Sequence, residues 1–180
     1  MTPSTRVVLD AEATDRAMTR MAHELLEANG GTDDLLLLGI PTRGVPLAHQ
    51  LAAALQAAEG TEVPVGQLDI TMYRDDLRRQ PTRSVGPTRI PGEVTDRVVV
   101  LVDDVLYSGR TVAAALEAIK DLGRPRAIRL AVLVDRGHRE LPISADFVGK
   151  QLPTAKAERV RVLVDEVDGE TAVTISREDV

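Results

Sequence analysis

The fold class this sequence predicts is α/β, with a mainly parallel central sheet flanked by helices. Three features predict it. Residues 35–40 and 98–102 are short, continuous apolar runs and 128–134 is one broken only by Arg129, the pattern of strands covered on both faces. The segments between them carry apolar residues at helical spacing. Glycine and proline close most of those segments, as helix and turn boundaries require.

From Asp10 to Asn29, the residues Met18, Met21, Ala22, Leu25 and Leu26 lie on one helical face, and Asn29-Gly30-Gly31 supplies a stop. This helix is expected to precede any strand. Residues 35–40 form the first buried strand, and the turn Pro41-Thr42-Arg43-Gly44 follows it. Val45, Leu47, Ala48, Leu51, Ala52 and Leu55 mark a second helix that ends near Glu59-Gly60. A strand before about Thr71 completes a right-handed βαβ crossover. The apolar pattern then fails over residues 73–95, which hold Arg74, Asp75, Asp76, Arg78, Arg79, Arg83 and Arg89 among several prolines. A loop of that length inside a compact domain is usually functional or disordered. After the strand at 98–102, a helix runs through Val112, Leu116, Ile119 and Leu122 to a stop at Gly123 and Pro125. Strand 128–134 closes a second βαβ unit. A short run at 145–149 and two alternating runs at 160–164 and 171–175 finish the chain.

A length of 180 residues suits one well-buried domain, taken as 1–180 with a flexible loop at about 73–95. The absence of cysteine excludes disulfides and thiolate metal sites. With no secretory signal and no long apolar run, the cytoplasm is the expected compartment. A net charge of −6 argues against indiscriminate coating of nucleic acid, although a local basic face is compatible with it. Tyr73, Tyr107 and Phe147 are the only aromatic residues, too few for a base-stacking platform.

The most informative segment is 98–111. A strand ends in Asp103-Asp104, and the loop Val105-Leu106-Tyr107-Ser108-Gly109-Arg110-Thr111 then opens a helix. Ligands of open α/β sheets bind at the carboxyl ends of strands. The two carboxylates accept hydrogens from vicinal hydroxyls or from a water of a bound Mg²⁺. The loop amides and the helix start suit a phosphate dianion.

This stretch resembles the phosphoribosyl pyrophosphate (PRPP) motif of the type I phosphoribosyltransferases. The segments 67–77, with Asp69-Ile70-Thr71-Met72-Tyr73-Arg74, 133–143, with Asp135-Arg136-Gly137-His138-Arg139, and 145–154 further resemble the PyrR family of pyrimidine-operon regulators, collinearly over nearly the whole chain. The resemblance implies a type I fold with a small hood built from the N- and C-terminal segments. It also implies two functions. One is uracil phosphoribosyl transfer, in which uracil and PRPP give UMP and pyrophosphate. The other is UMP-dependent binding of the mRNA leader of pyrimidine genes, acting by transcription attenuation or translational repression.

For the chemistry, the resemblance implies catalytic roles for Asp103, Asp104 and Arg43, with the acidic pair on the ribose hydroxyls and loop 105–111 on the 5′-phosphate. Thr42-Arg43-Gly44 matches the pyrophosphate loop, which in the family holds a non-proline cis peptide. Arg89 is the expected cation of a lid formed by 73–95. Arg136 is expected near the base or pyrophosphate, and backbone groups around Val160 are expected to read uracil. Asp135 could instead simply pair with Arg136 or Arg139, as neighbouring charges often do. Mg²⁺ is expected with PRPP, held mainly by PRPP itself. For RNA, the matching positions are Thr19 and His23, one turn apart on a helix, with Arg139 and Lys150. Ser144 stands where family members commonly carry Arg. A homodimer or higher homo-oligomer is implied as well. Two other readings stay open: an RNA-binding nucleotide sensor without turnover, and a phosphoribosyltransferase for another base.

Overall fold

The computed structural model describes residues 4–75 and 88–177. Its larger sheet has five strands, β2 (Leu35–Gly39), β3 (Val65–Gln67), β4 (Val98–Leu106), β5 (Ala127–Asp135) and β6 (Phe147–Gln151). They stand in the order β3-β2-β4-β5-β6, and every neighbouring pair is parallel. The expected parallel sheet is therefore present, with β4 at its centre.

Alternation along the buried strands divides the interior in two. Leu35, Leu37, Val98, Val100, Val102 and Leu133 point into one core, and Leu36, Leu38, Val99, Leu101, Leu130 and Val132 into the other. Helices α1 (Ala11–Asn29) and α2 (Gly44–Glu59) cover the first face, and α3 (Arg110–Lys120) covers the second. Asp10 caps α1 by accepting the Ala13 N–H at 2.8 Å, and Gly30 ends it in the left-handed region. Two caps and a seven-residue buried stripe make this helix legible in sequence.

A second, three-stranded antiparallel sheet joins the chain ends. Its order is β1-β8-β7, from β1 (Thr5–Leu9), β7 (Glu158–Leu163) and β8 (Ala172–Arg177), with the single-turn helix α4 (Asp165–Asp168) between the last two. This is the expected hood. Its first strand corrects the expectation that a helix comes first. Thr5, Arg6 and Val7 are exposed and become a strand only by pairing with Ser176, Ile175 and Thr174, a partner that no local pattern reveals.

Three boundaries also differ from expectation. β4 runs on to Leu106, so the acidic pair lies inside the strand, because Asp103, Val105 and Leu106 still pair with Val132, Val134 and Asp135. α3 stops at Lys120, leaving Leu122 in a turn and 42% exposed. The strand expected at 145–149 sits two residues later, where Phe147 pairs with Ala131 and Gln151 with Asp135. Of the expected lid, residues 76–87, including Asp76, Arg78, Arg79 and Arg83, lie outside the described residues. Among the described residues, no helix is long and apolar enough to cross a membrane.

Candidate active site

β4 delivers the two carboxylates to the carboxyl edge of the parallel sheet. Strand pleating sends neighbouring side chains to opposite faces, so the two acids meet different surroundings. Asp103 is 8% exposed, whereas Asp104 is half-buried. Burial, and then the charge of Asp104, hold the Asp103 carboxyl well above the usual carboxylate range. Asp103 Oδ1 accepts the Asp104 N–H at 2.9 Å, and Asp104 Oδ1 accepts the Val105 N–H at 2.7 Å. These bonds fix the backbone of the last residues of the strand, just before it gives way to the loop at Tyr107. Asp103 borders a cavity of about 280 Å³ lined by Val105 through Val112 together with Arg74 and Asp75. The size suits a sugar phosphate, and the wall is mostly the expected phosphate loop.

Gly109 caps α3 in the left-handed region at φ 91°, and the Arg110 N–H donates to Ser108 Oγ at 3.2 Å. The loop thus ends at the N-terminus of an 11-residue helix, whose dipole favours an anion. Arg110 leans outward, pairing with Asp75 at 2.6 Å and Glu140 at 2.7 Å.

The second loop, Pro41 to Gly44, is packed directly on β4. The Ile40 N–H donates to Val102 O at 3.0 Å, and a Cβ at Gly44 would lie 2.4 Å from the same oxygen. Only glycine allows α2 to start this close to the acidic pair. The Pro41–Thr42 peptide is cis. Arg43 donates from Nε to Asp168 Oδ2 at 3.1 Å and from Nη2 to Asp168 Oδ1 at 2.8 Å, while Asp104 adds a weaker attraction. This fork-to-carboxylate bond holds the Asp168 carboxyl below its ordinary range, helped by the Val164 N–H. Sequence reasoning missed Asp168, because it lies 125 residues from Arg43.

Arg136 faces inward. Its guanidinium stacks over the Tyr107 ring at 4.3 Å and donates to Thr154 Oγ1, Ala155 O and Glu158 O at 3.2, 3.2 and 2.7 Å. It therefore ties the β5 loop to the segment leading into the hood. Val160 is half-buried on β7, the edge strand of the hood sheet, paired with Ile175. The free edge of such a strand offers the alternating N–H and C=O groups that a pyrimidine's amide face needs. Arg89 is exposed, and its backbone bridges Gln67 at the β3 edge. Arg74, not singled out from sequence, is instead the cation beside Asp103.

Comparison with known proteins matches this architecture. Residues 4–166 match the family model described as the phosphoribosyl transferase domain. The chain is 61% identical over 176 residues to a protein of Leifsonia xyli named "Bifunctional protein PyrR", covering 95% of this chain and 96% of that one. It is 60% identical over 169 residues to the bifunctional PyrR protein of Thermus thermophilus, covering 93% of each. The chain belongs to the PyrR family of phosphoribosyltransferases. More distant solved structures share the fold. The hypoxanthine phosphoribosyltransferase of Trypanosoma cruzi aligns with TM-score 0.72 at 17% identity over 97% of both chains, and that of Staphylococcus aureus with 0.71 at 16% over 96% of this chain and 92% of that one.

Three of the four positions that the PyrR resemblance links to RNA fall on two packed elements, α1 and β6. Thr19 and His23 are exposed on α1, beside Glu12, Asp15, Arg16 and Arg20 along a shallow groove. Lys150 is exposed on β6, which Arg20 ties to α1 through Val148 O and Gly149 O at 3.2 and 2.5 Å. Arg16 and Arg20 pair with Glu12 and Glu24, which dilutes the positive footprint. Arg139 is turned inward, bonded to Asp135, Tyr107 and Ile143. Of the two pairings open to Asp135, the structure forms the one with Arg139, at 2.6 Å.

Proposed function

We propose that this single domain, residues 1–180, transfers the phosphoribosyl group of PRPP to N1 of uracil, and that it regulates pyrimidine genes by binding their mRNA leader when UMP fills the same site. The observation that carries the reading is the acidic pair at the end of central strand β4, running straight into a phosphate loop. It stands within a chain about 60% identical to proteins named bifunctional PyrR.

In the reaction the bond from C1′ to the pyrophosphate oxygen breaks, a bond from C1′ to N1 of uracil forms, and the N1 proton passes to the departing pyrophosphate or to water. Electrons leave with pyrophosphate, and the ribose passes through a cationic state. Amides of Tyr107 to Thr111 and the start of α3 hold the 5′-phosphate. Asp104, half-exposed, accepts ribose hydroxyls. Asp103 lies behind it, and the cationic sugar favours the ionised form of this carboxyl against the burial that raises it. Arg43 and Arg74 approach the departing pyrophosphate, Arg43 from the loop after β2 and Arg74 from the base of the 73–95 loop. Arg89 contributes from that loop's far end.

The donor set suits Mg²⁺ carried in by the substrate. Asp103 and Asp104 stand together at the carboxyl edge of the sheet, where their negative potential favours a nearby cation. When it enters with PRPP, Mg²⁺ would supply charge neutralisation for the leaving pyrophosphate beside the acidic pair. Backbone groups around Val160 read uracil, while Arg136 holds the surrounding loops. For RNA, Thr19, His23 and Lys150 form one face across α1 and β6, and a homo-oligomer in the cytoplasm presents it in pairs.

The test is pyrophosphate release from PRPP and Mg²⁺ with uracil, hypoxanthine or orotate, followed by titration of a pyrimidine-gene leader RNA with and without UMP. Turnover with uracil alone and RNA binding tightened by UMP is the expected result. Turnover with hypoxanthine or orotate would overturn the uracil assignment. RNA affinity indifferent to saturating UMP would overturn the regulatory one.

A further inference from the structure

The segment from Arg136 to Ile143 folds back along the outside of the phosphate loop and is bonded to it at successive residues. The Arg136 N–H donates to Leu106 O at 3.1 Å, and Arg139 Nη1 to Tyr107 O at 2.9 Å. The Glu140 and Leu141 N–H groups both donate to Ser108 O, at 2.9 and 3.2 Å. Glu140 also takes Arg110 Nε at 2.7 Å, and Ile143 packs so closely that a Cβ on Gly109 would lie 3.1 Å from its Cγ1. Positive φ at Gly137 and His138 makes the reversal. Arg139 is the centre of this clamp. Besides Tyr107 O, its Nη2 donates to Asp135 Oδ2 at 2.6 Å and its Nε to Ile143 O at 2.8 Å. Its side chain is 22% exposed, and all three of its nitrogens have protein acceptors.

We infer that Arg139 is a positioning residue that couples the phosphate loop to the RNA-binding segment, and not itself a contact to RNA phosphate. The inference rests on the reading of this protein as a UMP-responsive RNA binder. A 5′-phosphate fixes the backbone of residues 106–110 by engaging its N–H groups. The carbonyls of that backbone are the acceptors of the clamp, so ordering the loop orders residues 137–143 as well. Those residues lead directly to Ser144 and, through β6, to Lys150. The energy that nucleotide spends on ordering this segment is then no longer needed when RNA binds. By linkage RNA must tighten UMP binding by the same factor. A guanidinium committed to three protein acceptors is built for that task. A phosphate contact needs donors facing solvent.

The experiment compares the full chain with Arg139→Gln and, as a milder cut in the same clamp, Glu140→Gln. RNA affinity is measured with and without UMP over a series of salt concentrations, and amide hydrogen exchange is followed with and without UMP. In the wild type UMP should slow exchange at Glu140 and Leu141. In Arg139→Gln that protection should vanish and the tightening of RNA by UMP should shrink to under twofold, while the slope of log affinity against log salt stays unchanged. Glu140→Gln should lower the tightening partway. A slope reduced by about one phosphate contact, with the UMP effect intact, would identify Arg139 as an RNA contact and overturn the inference. UMP that binds the wild type without protecting residues 137–143 would overturn it as well, whatever RNA does. A wild type that binds neither UMP nor RNA instead removes the functional reading beneath it.

Discussion

Replacing Asp103 with Asn is expected to make the free protein more stable and the enzyme far slower. Burial, and then Asp104, raise the Asp103 carboxyl well above the usual range. A group raised on folding adds stability that is fully present below its unfolded value of about 3.9 and lost as pH rises through the folded value. At neutral pH and above, an ionised Asp103 therefore works against the fold. Two unit charges on adjacent side chains, roughly 4–8 Å apart at an effective dielectric of about 20, repel by ~2–4 kcal/mol. Arg74 offsets part of this. About 1–2 kcal/mol should remain, which for a chain of this size raises Tm by roughly 2–8 °C. Asn retains an oxygen for the Asp104 N–H, so the strand end keeps its geometry. What disappears is a charged acceptor, about 1.5–3 kcal/mol in the transition state, or a fall in kcat/KM of roughly 10- to 150-fold. Calorimetry at pH 5 and pH 8, with pyrophosphate release in parallel, checks both sides. The gap in Tm should be wider at pH 8. A variant less stable than wild type at pH 8, or a gap that widens toward acid, would refute the argument.

Gly44→Ala should destabilise by ~3 kcal/mol or more, because its Cβ would collide with Val102 O beneath the acidic pair; an unchanged urea midpoint would mean the loop can move aside. Arg136→Lys should lower stability by about 2–4 kcal/mol through loss of the fork that reaches Thr154, Ala155 and Glu158. Full stability with lost uracil turnover would instead place Arg136 on the substrate. Asp168→Asn should free Arg43 and lower KM for PRPP without lowering kcat, at a stability loss of about 1 kcal/mol. Because the Arg43 hydrogen bond depresses the Asp168 pKa, that loss should be present above pH ~4 and fade as pH falls through the folded value, as denaturant midpoints across pH 3–7 would reveal.

What the sequence determined by itself was whatever is contiguous in the chain. The buried stretches of β2, β4 and β5 were visible because the part of a strand covered on both faces must be apolar at successive positions, as in 35–38, 98–102 and 130–134. The acidic pair and phosphate loop were visible because strand, carboxylates, turn and helix start follow one another within fourteen residues. Tertiary structure decided the rest, since it depends on residues that meet only after folding. Thr5–Leu9 is short and mostly exposed, with β-branched Thr5, Val7 and Val8 as its only strand signal, and its pairing depends on a partner at the other end of the chain. Arg43 follows a strand in the sequence, yet its orientation is set by Asp168 in the hood. Arg136 and Arg139 occupy positions that the family resemblance assigns to the base or pyrophosphate and to RNA, but a matched position carries no information about side-chain direction. Packing turned both guanidinium groups inward, because three protein acceptors surround each of them once the phosphate loop, the β5 loop and the hood have come together.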